Sequence, residues 1–186
     1  MSKIEDLATI FGDHVKVGWP AGSSGAQRVI MIVYEPGDEH IVRKNLHLFA
    51  TAAKDPGYGW HDVDITSAFA AWLGSHRYRE NYFEEPEMLT AGASERFTQY
   101  VGDEIAGVLN RPEHDEREIV GLIGAASLFG AASLSDVLAR VDHAIRGRLV
   151  VFFPGKARDG RYRLLDARDG WDYHAVSIQL ELGTHS

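Results

Sequence analysis

Three carboxylate side chains follow the first long apolar run of the chain. The run from Arg28 to Tyr34 has Val-Ile-Met-Ile-Val at its centre, and Glu35, Asp38 and Glu39 come soon after it. Clustered carboxylates are the ligands that Mg²⁺ and other hard cations prefer in proteins. The same acids would also stabilise the first turn of a helix, because a helix N-terminus carries partial positive charge. A metal site and a helix start are both open here, and the helix start is the simpler interpretation.

A second loop with possible chemistry follows the apolar run from Ile119 to Gly124. Backbone amides at the start of the next helix, near Ser133, could hold an anion. The phosphate-binding signatures GxxxxGK[ST] and GxGxxG are both absent from the chain. The segment from Gly121 to Gly124 lacks the lysine of the first and the glycine triplet of the second. A nucleotide site at this loop is therefore an alternative and not the leading hypothesis.

Other catalytic signatures are absent as well. No serine lies in a G-x-S-x-G elbow, and the nine histidines contain no HExxH pair. Each histidine is interpreted as a surface or packing residue. The residues alone thus predict no catalytic residue, no bound cofactor and no metal site.

The loops must be positioned by a strand–helix–strand unit that runs from Glu118 to Gly155. The run from Ile119 to Gly124 has no polar alternation, which is typical of a strand buried on both faces. Ser133 and Asp136 have capping-box spacing and predict a helix start, and Gly147 is expected to end that helix. A second buried strand is expected from Leu149 to Phe153. Two strands that run in one direction around a helix form a right-handed crossover in a parallel sheet.

The rest of the chain extends the same pattern. A buried strand is expected near Arg28–Tyr34, and a further strand with alternating polarity is expected near Trp60–Ile65. Helices are expected at residues 2–11, 42–53, 66–73 and 94–110, and an alternating strand at residues 173–182. The fold class is α/β, a three-layer Rossmann-like domain whose central parallel sheet has an antiparallel C-terminal edge. Residues 1–186 form one domain, in which residues 1–27 are a helical N-terminal extension and linker.

Composition excludes several classes of function. The net charge is −8, which argues against strong binding to duplex nucleic acid, since such binding needs many basic side chains. The absence of cysteine excludes disulfides and thiolate metal sites. Acids interrupt the first residues where a signal peptide would be apolar, and no apolar run is long enough to span a bilayer. A cytoplasmic protein is expected, with no membrane contact and no direct sequence-specific contact to nucleic acid.

Three short motifs resemble the BrxB family of the BREX bacteriophage-resistance systems. The first is a strand that ends in an acidic residue and proline, followed by Glu and a Val-Arg pair. The second is a glycine-rich loop with Ser-Leu-aromatic, and the third is a strand that ends in aromatic-Pro-Gly. The matching residues are Glu35, Pro36, Glu39, Arg43, Gly124, Ser127, Pro154 and Gly155. The likeness covers roughly residues 28–178. Gly130, Ser133 and Ser135 depart from the family pattern.

The resemblance implies a noncatalytic adaptor of a phage-defence system. Its expected partner is a PglZ-type alkaline-phosphatase-like protein, and a PglX-type DNA adenine methyltransferase and a BrxC-type ATPase are further companions. The alternative is a nucleotide- or metal-binding enzyme or sensor that uses the loops after the strands ending near Tyr34 and Gly124.

The segment from His76 to Met88 is the expected partner-binding surface. Its aromatic residues Tyr78, Tyr82 and Phe83 lie among arginines and acids, without a helical or strand period. Aromatic and arginine side chains are enriched where interfaces carry their binding energy. An ordinary loop whose aromatic side chains cover the adjacent helix is the other interpretation.

Overall fold

The computed structural model describes residues 2–75, 91–159, 161–163 and 171–180. The strands in chain order are β1 (Val29–Tyr34), β2 (Gly59–Asp64), β3 (Glu118–Ile123), β4 (Arg148–Pro154), β5 (Lys156–Arg158), β6 (Arg161–Arg163), β7 (Trp171–Asp172) and β8 (Val176–Ile178). The α-helices are α1 (Lys3–Lys16), α2 (Glu39–Lys44), α3 (Leu46–Lys54), α4 (Ala68–Ser75), α5 (Ala91–Leu109) and α6 (Leu134–Val141). A parallel sheet has the order β2-β3-β4-β1-β8, and β5, β6 and β7 form a separate antiparallel sheet.

The centre of the sheet is the pairing of β1 with β4. The two strands are parallel, and their register runs from Val29 opposite Leu149 to Tyr34 opposite Pro154. Every residue of both strands is buried. Burial on both faces explains why neither strand alternates apolar with polar residues. The predicted buried strands are therefore confirmed.

Helices cover both faces of the sheet, as the three-layer prediction requires. Helices α1, α2 and α3 pack on one face, where the Phe49 ring contacts both Phe11 of α1 and Phe152 of β4. Helices α4, α5 and α6 pack on the other face, where Trp72, Phe97 and Leu138 are buried. The α/β three-layer class with a parallel centre is confirmed.

The N-terminal helix is longer than the sequence pattern indicated. Its capping box joins Ser2 and Glu5, and the helix runs to Lys16. Phe11 and Val15 have no exposed surface. Helix α1 is therefore an integral part of one core layer.

The direction of the C-terminal strand corrects one prediction. Strand β8 pairs with β1 in parallel, with Ile30 opposite Val176, and the antiparallel pairing occurs in the separate small sheet. Alternating polarity reports only that one face is exposed, and its period of two is the same for either strand direction. The pattern was therefore unable to fix the direction of the strand.

The end of one helix also differs from the prediction. Helix α6 ends at Val141 and not at Gly147, and a 3-10 turn over Asp142–Ala144 follows it. Arg28 Nη1 donates to the carbonyl oxygens of Ile145 at 2.6 Å and Arg146 at 3.2 Å just beyond that turn. Ser133 is the N-cap residue of α6, so the predicted helix start is confirmed, but its side chain makes no capping hydrogen bond.

The predicted helix at residues 42–53 is two helices. Asn45 separates α2 from α3, and its side-chain amide donates to the Ile41 carbonyl oxygen at 2.8 Å. A side chain that bonds to nearby backbone in this way competes with regular helix hydrogen bonding. Among the residues that the structure describes, no helix has the length and apolar character of a membrane span.

Substitution of Leu138 tests the placement of α6. This side chain is fully buried, so Leu138→Ala should lower the free energy of unfolding by about 2–5 kcal/mol through lost burial and a cavity. Chemical denaturation measures the change. Ile10→Ala on the exposed side of α1 is the control and should change stability much less, as Ile10 is 42% exposed. Equal effects of the two substitutions would contradict the placement.

Candidate functional site

The candidate site is a cleft at the carboxyl ends of the central strands. The chain leaves β1 towards the face of α2 and α3, and it leaves β3 towards the face of α6. Strand β4 lies between β1 and β3, so the two loops diverge above its end. In open α/β sheets, ligands bind in crevices of this kind. The end of β4 is therefore the expected location of a binding site.

An open cleft of about 500 Å³ occupies this position. Its lining comes from the loop after β1, the end of β2, the loop after β3 and the end of β4, namely Pro36, Glu39, Arg43, Thr66, Gly124, Ala126, Ser127, Phe129 and Pro154. Six of the eight motif residues are in this set. The other two, Glu35 and Gly155, line a neighbouring cavity of about 300 Å³. The structure thus brings the sequence motifs together.

Arg43 is the centre of the polar network in the cleft. Its Nε donates to Glu39 Oε1 at 2.7 Å, and its Nη1 donates to Asp64 Oδ2 at 3.0 Å. Its Nη2 donates to the Thr66 hydroxyl oxygen at 2.7 Å. One guanidinium group therefore links α2 to the end of β2, a geometry that the planar donors of arginine allow and a lysine does not.

Tyr34 extends the network into the core. The phenol of this buried residue donates a short hydrogen bond to Glu39 Oε2. Burial of the phenol raises the pKa of Tyr34 above its ordinary value, and the hydrogen bond and charge of Glu39 raise it further. Tyr34 therefore stays protonated and acts as a hydrogen-bond donor.

The pKa of Asp64 is shifted in the opposite direction to that of Tyr34. Partial burial opposes its ionisation, but hydrogen bonds from the Thr66 hydroxyl and backbone amide, together with Arg43, lower its pKa below the ordinary value. The hydrogen bond from the Thr66 backbone nitrogen to Asp64 Oδ1 measures 2.9 Å. Asp64 is therefore a carboxylate at neutral pH, held by two partners that lie on either side of it.

Gly124 allows the loop after β3 to approach the end of β2. Its φ is +90°, and a Cβ atom there would lie 2.6 Å from the backbone nitrogen of Thr66. The Ser127 hydroxyl donates within the same corner, 3.0 Å from the Ile65 carbonyl oxygen and 2.7 Å from that of Gly124. Gly124 and Ser127 thus hold the loop after β3 against the end of β2, at one side of the cleft.

The polar side chains of the cleft bond mainly to one another and so fix its shape. Both oxygens of Glu39 accept hydrogen bonds from other side chains, and Arg43 binds three acceptors. The apolar lining of Pro36, Ala126 and Pro154 lies beside the exposed ring of Phe129. Such a cleft can accept an apolar or aromatic group next to charged atoms.

The alternative metal site of Glu35, Asp38 and Glu39 is not found as a cluster of potential ligands among the described residues. Glu39 bonds to Tyr34 and Arg43, and Asp38 makes no side-chain bond to the start of α2. Within the described ranges, the group of side chains that could share a metal ion is His61, His114 and Glu118. The sequence interpretation missed this cluster, because its residues are far apart in the chain.

Tyr78, Tyr82 and Phe83 lie outside the described residues. Asp64 and Thr66 were not among the predicted site residues, because their bonds to Arg43 join distant parts of the chain.

Comparisons with family models, with curated proteins and with solved structures find no match to this chain. The likeness to the BrxB family therefore stays a prediction from the sequence motifs.

Tyr34→Phe tests the buried hydrogen bond through its pH dependence. The raised pKa means that Tyr34 stabilises the fold fully below about pH 10, where an unfolded tyrosine starts to ionise. Above that pH, the stability advantage of wild type over Tyr34→Phe should fall by about 1.4 kcal/mol per pH unit. Urea denaturation from pH 8 to pH 11 measures it. A pH-independent difference would contradict the buried bond.

Gly124→Ala tests the close approach of the two loops. Both Gly124 and Gly130 have positive φ, but a Cβ atom at Gly130 would have no neighbour within 4 Å. Gly130→Ala should therefore report backbone strain alone, about 1–2 kcal/mol. Gly124→Ala should cost clearly more, because its methyl group would also collide with Thr66. Denaturation midpoints measure both, and equal losses would show that the corner is not closely packed.

Proposed function

We propose that the chain is a noncatalytic, cytoplasmic adaptor of a BREX-type phage-defence system and that it docks a PglZ-type alkaline-phosphatase-like protein. A PglX-type methyltransferase and a BrxC-type ATPase are further proposed companions. The proposal rests on the resemblance of the three sequence motifs to the BrxB family. The observation that carries it is that these motifs, from separate loops, line one cleft.

The internal bonding of the cleft favours docking over catalysis. A general base needs a carboxylate or imidazole that is free to reach a substrate proton. In the cleft, the Glu39 and Asp64 carboxylates bond to Tyr34, Arg43 and Thr66. These bonds fix the shape of the loops, and a preorganised surface loses less entropy when a partner binds.

Phe129 is the proposed anchor of the docking surface. Its side chain is 53% exposed on the short turn after β3, directly at the cleft. Binding energy at interfaces concentrates in aromatic and arginine side chains that fill pockets near the centre of the contact. Phe129 beside Arg43 provides both types of side chain at one location.

Co-purification with the PglZ-type protein tests the docking surface. Phe129→Ala should abolish co-purification, because it removes the anchor, and it should leave the melting temperature near that of wild type. Val17→Ala is the matched control, since Val17 is an apolar side chain that is 87% exposed away from the cleft. Full retention of the partner by Phe129→Ala would remove the cleft from the interface.

The segment at residues 76–88 provides a second arm of the same experiment. The double substitution Tyr82→Ala and Phe83→Ala should weaken co-purification without loss of melting temperature if this segment adds to the contact. Loss of binding by the double variant alone would move the interface to that segment. Loss of folding would instead support an aromatic cover of the neighbouring helix.

The second candidate function is a nucleotide or metal sensor that uses the same cleft. The position of the cleft at the carboxyl ends of a parallel sheet favours it. A ligand that binds only the folded chain raises its melting temperature. Thermal shifts with ATP, GTP, NAD and Mg²⁺ should be absent if the cleft is only a docking surface. A shift that the double substitution Glu35→Gln and Glu39→Gln removes would favour the sensor.

A further inference from the structure

Two histidines and a glutamate converge at the edge of the sheet remote from the cleft. His61 belongs to β2, Glu118 begins β3, and His114 lies in the loop between α5 and β3. One possible ligand atom of each residue lies within 4.8 Å of the others. His61 Nε2 is 3.2 Å from Glu118 Oε1, and the two imidazole centroids are 4.4 Å apart. The three side chains therefore share one small volume.

His114 is the independent sign that this volume receives a ligand. The residue is only 2% exposed, and neither of its ring nitrogens has a hydrogen-bond partner. Buried polar side-chain atoms nearly always have a partner, since an unpaired one loses its bonds to water without replacement. A bound ion on one ring nitrogen would satisfy part of this requirement.

The backbone prepares the position of Glu118. Gly59 of β2 lies opposite Glu118 of β3, and a Cβ atom on Gly59 would lie 2.2 Å from Glu118 Oε2. The absent side chain therefore leaves the space that the carboxylate fills. Gly59 makes this close approach possible at the start of the two strands.

Backbone hydrogen bonds hold the loop that carries His114. The His114 backbone nitrogen donates to the Arg111 carbonyl oxygen at 3.0 Å, and Arg146 Nη1 donates to the His114 carbonyl oxygen at 3.2 Å. These bonds hold the His114 backbone in place at the side of the cluster. Glu113, Asp115 and Glu116 lie beside His114 in the sequence, and Arg111 and Arg117 offset part of their charge.

We propose that His61, His114 and Glu118 bind a divalent transition-metal ion, with Zn²⁺ as the first candidate. Two imidazoles and one carboxylate are a common ligand set for zinc, and the remaining position is available to water. Donor atoms bonded at about 2.1 Å in a tetrahedral site lie roughly 3.4 Å apart, so the three side chains must move slightly closer. His61 can move, because it lies on the edge strand β2 and its side chain is 43% exposed.

The metal would link the loop after α5 to the edge strand. Its ligands come from two neighbouring strands and the loop that leads into one of them, so binding would stabilise the folded chain. The site lies at the amino ends of β2 and β3, whereas the cleft lies at the carboxyl ends of the sheet. Metal binding and partner docking are therefore separable properties.

Zinc titration of the chelator-treated full chain tests the proposal. Calorimetry should show one Zn²⁺ per chain, and the melting temperature should rise with zinc because the metal binds the folded state. His61→Ala and Glu118→Gln should each weaken zinc binding by at least about tenfold, since even residues that only support a metal ligand can matter that much. Co²⁺ should give the intense visible absorption of a tetrahedral complex in wild type, and this absorption should be lost in His61→Ala and Glu118→Gln.

His47→Ala is the matched control, because His47 is an exposed histidine on α3 outside the cluster. It should bind zinc like wild type. His61→Ala and Glu118→Gln alter partly exposed or edge positions, so they decide the outcome even if a variant at buried His114 fails to fold. Absence of zinc binding by wild type, or equal binding by wild type and both ligand variants, would overturn the proposal.

Discussion

The structure depends first on the parallel pairing of β1 with β4. Both strands are buried on both faces, so their backbone groups must find partners in the sheet. The shared register brings Tyr34 and Pro154 to the same edge, and the Gly155 backbone nitrogen donates to the Tyr34 carbonyl oxygen at 2.8 Å. This last bond fixes where the chain leaves both strands, and the cleft forms around that point.

The Arg43 network gives the cleft its shape and contributes little to overall stability. The side chains of Arg43 and Asp64 are 32% and 51% exposed, and ion pairs in such positions are typically worth less than about 1 kcal/mol. These ion pairs act on the geometry of the cleft, because one guanidinium group fixes α2 relative to the end of β2. The buried bond from Tyr34 to Glu39 then connects this surface network to the core.

Local sequence patterns predicted those structural features that depend on residues close together in the chain. Continuous apolar runs identified β1, β3 and β4, because burial on both faces leaves no polar positions. The end of α6 was missed, because buried Ile145 fits the helical spacing of the apolar residues although it lies beyond the helix. The direction of β8 was missed because alternation is the same in either direction. The motif residues of the cleft were predicted individually, whereas the contributions of Asp64 and Thr66 required the sheet to bring them beside Arg43.

Hydrogen exchange of the chain, alone and with its PglZ-type partner, tests the central claim most directly. The claim is that the loops at the carboxyl ends of β1 and β3 form one docking surface. Binding should slow the exchange of backbone amides at residues 37–43 and 124–130 together. The exchange rates of the amides of α1, which packs on one face of the sheet, should stay unchanged. Protection confined to residues 76–88, or no protection in either loop, would contradict the claim.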